Sequence, residues 1–201
     1  MEIADAVALT TDTHAVRATA GAAVGQPGDL FGGPDETFDA LLRIDDHPRV
    51  PGRLCRSGAT HRAVVAAGPD RRGSHPRKLC LKLPDVYGPG RDQDFLLASS
   101  GDGAPLHHAV LPSAPVAPLY SSLWLYLAGW EPVLFGVRPR ITGRDLRFGV
   151  GDELSFLVSA PAGRFRRIGT LTLTGVAGTR VQFSGANSGG GIRALPPILF
   201  Y

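Results

Sequence analysis

The sequence predicts a mainly β fold of the α+β class: one antiparallel, β-barrel-like domain that carries a few short helices. Three observations lead to this prediction. Segments with an apolar residue at every second position recur along the chain, and this is the period of a half-buried strand. Short turn-forming runs separate these segments, and the chain contains 26 glycines and 17 prolines. Many short strands joined by such turns are typical of a barrel or a sandwich.

The N-terminal third has the least regular pattern. Residues 1–35 mix helix-favouring alanines with threonines and a stretch rich in glycine and proline, so we expect a poorly defined N-terminal segment. A single β-rich domain is expected over residues 36–201. It begins with a predicted short helix, Glu36–Ile44, in which Phe38, Leu41 and Leu42 share one side.

Three strands are predicted in the middle of the chain: Lys78–Leu83, Asp94–Ser100 and Leu106–Leu111. In the first strand, leucines alternate with the other residues, so the leucines lie on one face and Lys78 and Lys82 on the other. Pro84 and the Gly-Pro-Gly turn at residues 88–90 separate the first strand from the second.

The remainder continues the pattern of strands. Leu119–Leu127 fits either a short helix or a strand, Pro132–Val137 is predicted to be a strand, and Arg138–Gly151 to be a connection. A meander of antiparallel strands with short loops then follows: Leu154–Ala160, Arg164–Thr174 and Arg180–Ser184.

Composition restricts the cellular setting and the partners. The net charge of +3 combines 19 arginines with only two lysines, which indicates biased overall residue usage. The first residues are acidic and do not resemble a secretion signal, and no apolar run reaches the roughly 18–20 residues that cross a bilayer. Cys55 and Cys80 form neither a disulfide framework nor a CxxC pair. We therefore expect a soluble, cytoplasmic protein without a membrane partner.

The strongest electrostatic feature is a basic stretch in which Asp70 is the sole acidic residue: Arg49, Arg53, Arg56, Arg62, Arg71, Arg72, Arg77, Lys78 and Lys82. We interpret it as a charged surface that can attract an anionic small molecule or a protein, including a second copy of this chain. No aromatic residue is interleaved with it, which argues against single-stranded nucleic acid. Ser188–Gly191 could approach a phosphate, but it lacks the flanking strand and helix of a specific loop.

The histidines and paired carboxylates do not predict a metal site. His107 and His108 are adjacent, so on a strand they point to opposite faces and cannot serve one metal. Asp92 and Asp94 share a face of an extended segment, and we interpret them as a solvated strand entrance. A metal-dependent hydrolase that uses both carboxylates and a histidine is the third-ranked alternative.

Several segments resemble the haem-dependent catalase-like superfamily. The first part is Leu79–Leu83 followed by Tyr87–Gly90 and Asp94–Leu97, which is similar to a barrel strand, a glycine-containing turn and the next strand of that family. The second part is similar to the later barrel strands: Phe165–Leu173, Val181–Ser184 and Gly191–Ile192. Together these segments cover about half of the chain.

The resemblance implies a divergent catalase-like barrel that is related to peroxidases and binds haem. The family's distal-histidine motif is absent, Ala98 and Ser99 stand where an asparagine is expected, and Tyr201 does not have the spacing of the axial tyrosine. The resemblance therefore implies no full catalase activity, with His61 as the candidate for the distal role. The alternative is a non-catalytic barrel that binds an anionic small molecule or a protein through the arginine-rich surface.

Overall fold

The computed structural model describes residues 35–68, 76–112, 118–122, 124–140, 147–178 and 181–195. Most of the predicted N-terminal segment lies outside these ranges. The described residues form ten strands: β1 Glu36–Ile44, β2 Thr60–Ala67, β3 Lys78–Leu83, β4 Gln93–Ser99, β5 Tyr120–Ser121, β6 Leu125–Ala128, β7 Glu131–Pro139, β8 Glu153–Ser159, β9 Arg166–Val176 and β10 Ile192–Leu195. A single turn of 3-10 helix is present at Leu106–His108.

Eight of these strands close into an antiparallel barrel, in the order β7-β5-β4-β3-β2-β1-β9-β8 and back to β7. The closing pair joins Pro139 of β7 to Leu154 of β8 and continues to Leu134 and Ser159. Strands β6 and β10 extend from the first residues of β7, at one end of the barrel. The predicted antiparallel β-barrel is therefore confirmed.

Side chains fill the barrel interior. Register places Phe95 of β4, Phe135 of β7 and Phe156 of β8 on the inner face, and all three are fully buried. Their ring centroids lie 4.8 Å apart for Phe95 and Phe135, and 5.7 Å apart for each of the other two pairs. Such contacts contribute about 0.5–1.5 kcal/mol per pair beyond burial. A barrel of about eight strands has an interior just wide enough for side chains to fill.

The helix predicted for Glu36–Ile44 was wrong, because this segment is strand β1. Phe38 and Leu42 face the core, whereas Leu41 stays 44% exposed. The strand alternates between buried and exposed residues and fills the position between β2 and β9. The apolar residues of this segment also fit a helical stripe, but pairing with two neighbouring strands determines its conformation.

Two predicted strands were also wrong. Leu106–Leu111 begins with the 3-10 helix because the amides of His107 and His108 donate to the carbonyls of Gly103 and Pro105. Residues 181–184 form no strand because Ser184 donates its amide to the Asp94 carboxylate. In both places a backbone amide donates to a nearby carbonyl or to a side chain, and not to a neighbouring strand.

The other predicted strands are confirmed with small shifts of their ends. Lys78–Leu83 is β3, and the strands predicted at Asp94, Pro132, Leu154 and Arg164 correspond to β4, β7, β8 and β9. The ambiguous Leu119–Leu127 segment contributes β5 and the start of β6. No helix within the described residues has the length and apolarity to cross a membrane.

We expect Gly169→Ala to destabilise the barrel by about 1–3 kcal/mol. A β-carbon at Gly169 would lie 2.6 Å from the backbone oxygen of Arg43, which cannot move without displacing β1. Gly175→Ala, in the same strand, is the matched control because nothing lies within 4 Å of its added carbon. Urea unfolding of the two variants measures the difference. Equal stabilities would contradict the assigned β1–β9 register.

Candidate functional site

The loop between β1 and β2 covers one end of the barrel and exposes three arginines. We call these residues, Arg49, Arg53 and Arg56, the basic cap. Each is exposed, and none forms an ion pair with a residue in the described ranges. Of the two acids in this loop, Asp45 is paired with Arg167 of β9 at 3.1 Å and Asp46 is exposed. The cap therefore presents positive charge to solvent.

The start of β9 holds the cap's first arginine in place. The Arg166 guanidinium donates to the carbonyl oxygens of Pro48, at 2.5 Å, and Arg49, at 2.9 Å. Arg49 has a φ of 50°, in the left-handed region, which costs a non-glycine residue about 1 kcal/mol or more. The two charge-assisted hydrogen bonds maintain this conformation and fix where the Arg49 side chain leaves the loop.

A glycine turn at residues 188–191 holds the second arginine. The Arg53 amide donates to the Gly190 carbonyl at 3.0 Å. Gly190 has a φ of 56°, and any β-carbon there would overlap the ring of Tyr87, so glycine is required. Tyr87 is buried and donates its hydroxyl to Gln93 at 3.1 Å. The turn therefore connects the basic cap to the beginning of β4.

A buried ion pair anchors the segment that leads into this turn. Lys82 Nζ lies 3.0 Å from Asp94 Oδ1 and 2.9 Å from Asp92 Oδ2. The Asp94 side chain is fully buried and that of Lys82 is 9% exposed. Asp94 Oδ2 also accepts the Ser184 amide at 2.7 Å and the Asn187 side-chain amide at 3.0 Å. Residues 184–187 are therefore attached to the barrel wall beside the glycine turn.

The two carboxyl groups of this pair differ electrostatically. Burial raises the pKa of Asp94, although the Ser184 amide and the Lys82 ammonium oppose the shift. A hydrogen bond from the Asp85 amide, together with Lys82, holds the pKa of Asp92 below its ordinary value. Asp92 is consequently ionised at neutral pH, whereas the charged form of Asp94 is disfavoured by burial and favoured by the Ser184 amide and Lys82.

These contacts correct two predictions made from the charge pattern. The solvated strand entrance was wrong for Asp94, which is buried. The continuous basic surface was also wrong, because Arg77, Lys78 and Lys82 are all buried. Lys78 pairs with Asp35 at 2.8 Å, and Arg77 donates to the Gly68 carbonyl at 2.7 Å. Arg71 and Arg72 lie outside the described residues, so the exposed part of the predicted surface consists of Arg62 and the basic cap.

The metal-dependent hydrolase receives no support from this geometry. The Lys82 ammonium occupies the position between Asp92 and Asp94 where a bridging cation would lie. Within the described ranges, no three histidine, cysteine, aspartate or glutamate side chains are grouped to hold a metal ion. The ion pair of Lys82 and Asp94 instead holds residues 184–187 against the barrel.

His107 and His108 converge, so the prediction that they point to opposite faces was wrong. On the 3-10 helix their ring centroids are 4.3 Å apart. Both Nε2 atoms reach the Pro161 carbonyl, at 2.9 and 3.2 Å, and must donate because a carbonyl only accepts. Burial lowers the pKa of His107, with a smaller contribution from His108. His107 is therefore neutral at pH 7 and ties the β8–β9 turn to this helix.

The cysteines do not provide a nucleophile. Cys55 and Cys80 are both free and buried, at different places in the barrel. Burial raises the pKa of each thiol to about 12. A cysteine reacts as its thiolate, so neither side chain is activated at neutral pH.

His61 and two of the tyrosines are engaged within the protein. His61 is the second residue of β2, at the start of a strand as predicted, and its Nε2 lies 3.0 Å from the Leu54 carbonyl, to which it donates. Tyr87 and Tyr126 are buried, and burial raises the pKa of both, which disfavours the tyrosinate form needed for axial ligation. The phenylalanine rings fill the barrel interior. Tyr201 lies outside the described residues.

Comparison of the sequence with known protein families and with curated proteins finds no match. The catalase-like resemblance and haem binding consequently stay predictions.

Several residues that shape this end of the barrel were missed by sequence reasoning. Arg166 and Asn187 act through hydrogen bonds to residues far away in the chain, and no local pattern marks them. The glycine turn does have a signal in the sequence, because the glycine-rich run Ser188–Gly191 is of a kind that can approach a phosphate. The structure brings that turn against Arg53.

We expect Lys82→Met to destabilise the protein by about 3–5 kcal/mol, because Asp94 remains buried without its cation. Combining it with Asp94→Asn should recover part of this loss, since the buried charge is then removed. Chemical denaturation of the two single variants and the double variant measures the coupling.

The matched control is Arg140→Gln, which breaks a pair with Glu153 in which both side chains are 49% exposed. It should cost less than about 1 kcal/mol. Additive effects in the Lys82–Asp94 cycle would show that the buried pair does not hold this segment.

Lowering the pH should reduce the free energy of unfolding because His107 is buried. Its lowered folded-state pKa means that the unfolded chain takes up a proton first, so stability is complete above about pH 6.5 and falls as the pH decreases. The maximum contribution is about 1.4 kcal/mol per pH unit. Urea unfolding at pH 7 and pH 5 should show a smaller loss in His107→Gln than in the parent protein. A parallel loss in both would contradict the neutral, buried imidazole.

Proposed function

We propose that this protein is a non-catalytic β-barrel that binds an anionic ligand through the basic cap. The observation that carries the proposal is a set of three exposed arginines on a loop whose backbone is held at separate points. Arg166 holds the chain at Pro48 and Arg49, and the Gly190 carbonyl holds it at Arg53. Charged groups on a preorganised loop bind with a smaller loss of conformational entropy.

Arginine suits this role better than lysine would. The planar guanidinium presents its donors in a fork that matches phosphate and carboxylate oxygens. The two lysines of the chain are buried in ion pairs, whereas the cap arginines are exposed. The cap arginines, and not the buried lysines, are therefore available to bind an anion.

The condition of the reactive side chains supports a non-catalytic function. Asp92 and Asp94 are bound to Lys82, His107 and His108 donate to one carbonyl, and His61 contacts the Leu54 carbonyl. Each of these groups is engaged in a contact within the protein.

A haem-binding, peroxidase-related function is the second hypothesis. It is favoured by the closed antiparallel barrel, which is the architecture that the catalase-like resemblance implies. A sharp Soret shift with haemin at one-to-one stoichiometry would support it, and loss of peroxide reactivity in His61→Ala would assign His61 the distal role. An unshifted spectrum would leave the anion-binding proposal as the remaining one.

We expect the protein to bind inorganic polyphosphate, and the double variant Arg53→Gln/Arg56→Gln to bind it about 5- to 30-fold more weakly. This range corresponds to a loss of about 1–2 kcal/mol in all. Binding should weaken steeply between about 50 and 200 mM salt, because arginine–phosphate contacts release counterions. Isothermal titration calorimetry at both salt concentrations gives the affinities.

The matched control is Arg140→Gln/Arg147→Gln, which removes the same charge at the opposite end of the barrel. This variant should retain nearly all of the affinity. Equal losses in the two double variants would show a general charge effect and would overturn the basic cap as the binding site.

A further inference from the structure

The turn between β6 and β7 places a tryptophan at the edge of the basic cap. Trp130 is 89% exposed, whereas Trp124 is 5% exposed and belongs to the core. The turn consists of two residues, Gly129 and Trp130, between the paired residues Ala128 and Glu131. Gly129 has a φ of 65°, which glycine adopts at little cost. The indole is therefore displayed on a short, defined turn.

Two contacts fix this turn beside the cap loop. The Gly129 amide donates to the Gly191 carbonyl at 2.7 Å, in the same glycine turn whose Gly190 carbonyl accepts the Arg53 amide. A β-carbon on Gly129 would lie 3.2 Å from the β-carbon of Pro51, in the middle of the cap loop. The turn that carries Trp130 is thus packed against the loop that carries the arginines.

A large exposed aromatic side chain beside exposed arginines indicates a particular ligand chemistry. Arginine guanidinium groups bind phosphate oxygens, and an indole offers a flat face on which an unpaired base can stack. Proteins that bind single strands combine these two elements, a positive track for the backbone and aromatic platforms for the bases. In a duplex the bases are already stacked on each other, so a lone indole on a short turn favours a single strand.

We propose that the basic cap and Trp130 together bind single-stranded nucleic acid, with a base stacked on Trp130 and adjacent phosphates bound by the cap arginines. This inference rests on the proposed anion-binding function and specifies its ligand. Along the sequence, no aromatic residue is interleaved with the basic stretch, a pattern that argues against single-strand binding. The fold supplies one from a distant part of the chain.

The test compares two ligands of equal length and charge: an oligothymidylate and an abasic deoxyribose-phosphate oligomer. Fluorescence anisotropy of labelled oligomers gives the affinities for the parent protein, Trp130→Ala and Trp130→Phe. We expect Trp130→Ala to weaken oligothymidylate binding about 5- to 150-fold while abasic binding is unchanged. Trp130→Phe should restore part of the affinity, because it keeps an aromatic face.

The controls separate stacking from charge and from folding. Val176→Ala, at an exposed position 72% accessible at the other end of the barrel, should change neither affinity. The double variant Arg53→Gln/Arg56→Gln should bind both oligomers more weakly than the parent protein. Quenching of the intrinsic fluorescence by oligothymidylate and not by the abasic oligomer should accompany binding and disappear in Trp130→Ala.

The outcomes distinguish this inference from the proposed function. Equal affinity for the two oligomers, or an unchanged affinity in Trp130→Ala, would overturn the stacking role and leave anion binding in place. Failure to bind either oligomer or polyphosphate would overturn both proposals. Polyglutamate bound as tightly as oligothymidylate of equal charge would overturn nucleic acid as the ligand and favour an acidic protein partner.

Discussion

The ion pair between Lys82 and Asp94 is the interaction on which this end of the molecule depends. Removing two charges from water costs several kcal/mol per ion, and the cost is offset only when the partners satisfy each other. Here Lys82 gains a second carboxylate from Asp92, and Asp94 gains donors from Ser184 and Asn187. The half-buried Phe183 ring adds a face 5.9 Å from the Lys82 nitrogen. The charges therefore require the C-terminal segment to remain in place, because its departure would leave Asp94 without two of its donors.

This requirement extends from the barrel wall to the exposed loop. The anchored residues lead directly into the glycine turn, and the turn supports both the Arg53 backbone and the β6–β7 hairpin. Arg166 supports the same loop from β9. Each connection consists of hydrogen bonds between segments that are distant in sequence, so the positions of the cap arginines and Trp130 are consequences of the whole fold. A surface site positioned by a rigid scaffold is a common arrangement for binding.

The filled barrel explains why the proposed binding site lies outside it. Inward-facing residues of β4, β7 and β8 occupy the centre of the barrel. Burial also raises the pKa values of the buried tyrosine and cysteine side chains. An interior of this kind stabilises the fold but offers few reactive groups. The barrel fold by itself does not specify function, and the proposed function therefore rests on the surface chemistry of one end.

The sequence by itself determined the fold class and most of the strands. Alternation in β3, β8 and β9, with proline or glycine at their ends, is a local property that survives folding. The sequence also identified a basic stretch and a glycine run that lie together in the structure. It could not determine β1, since Phe38 and Leu42 fit a strand as well as a helix until β2 and β9 are present.

Only the tertiary structure decided which charges are buried. The alternating position of Lys82 in β3 predicted exposure, but Lys82 is buried against Asp94, which in turn accepts a hydrogen bond from Ser184, ninety positions after Asp94 in the chain. The same long-range packing buries Asp94, which the sequence predicted to lie at the surface, and places Trp130 beside the arginines of the cap. Hydrophobic alternation depends on neighbours in the chain, whereas charge burial and the composition of a surface depend on contacts that exist only after the barrel closes.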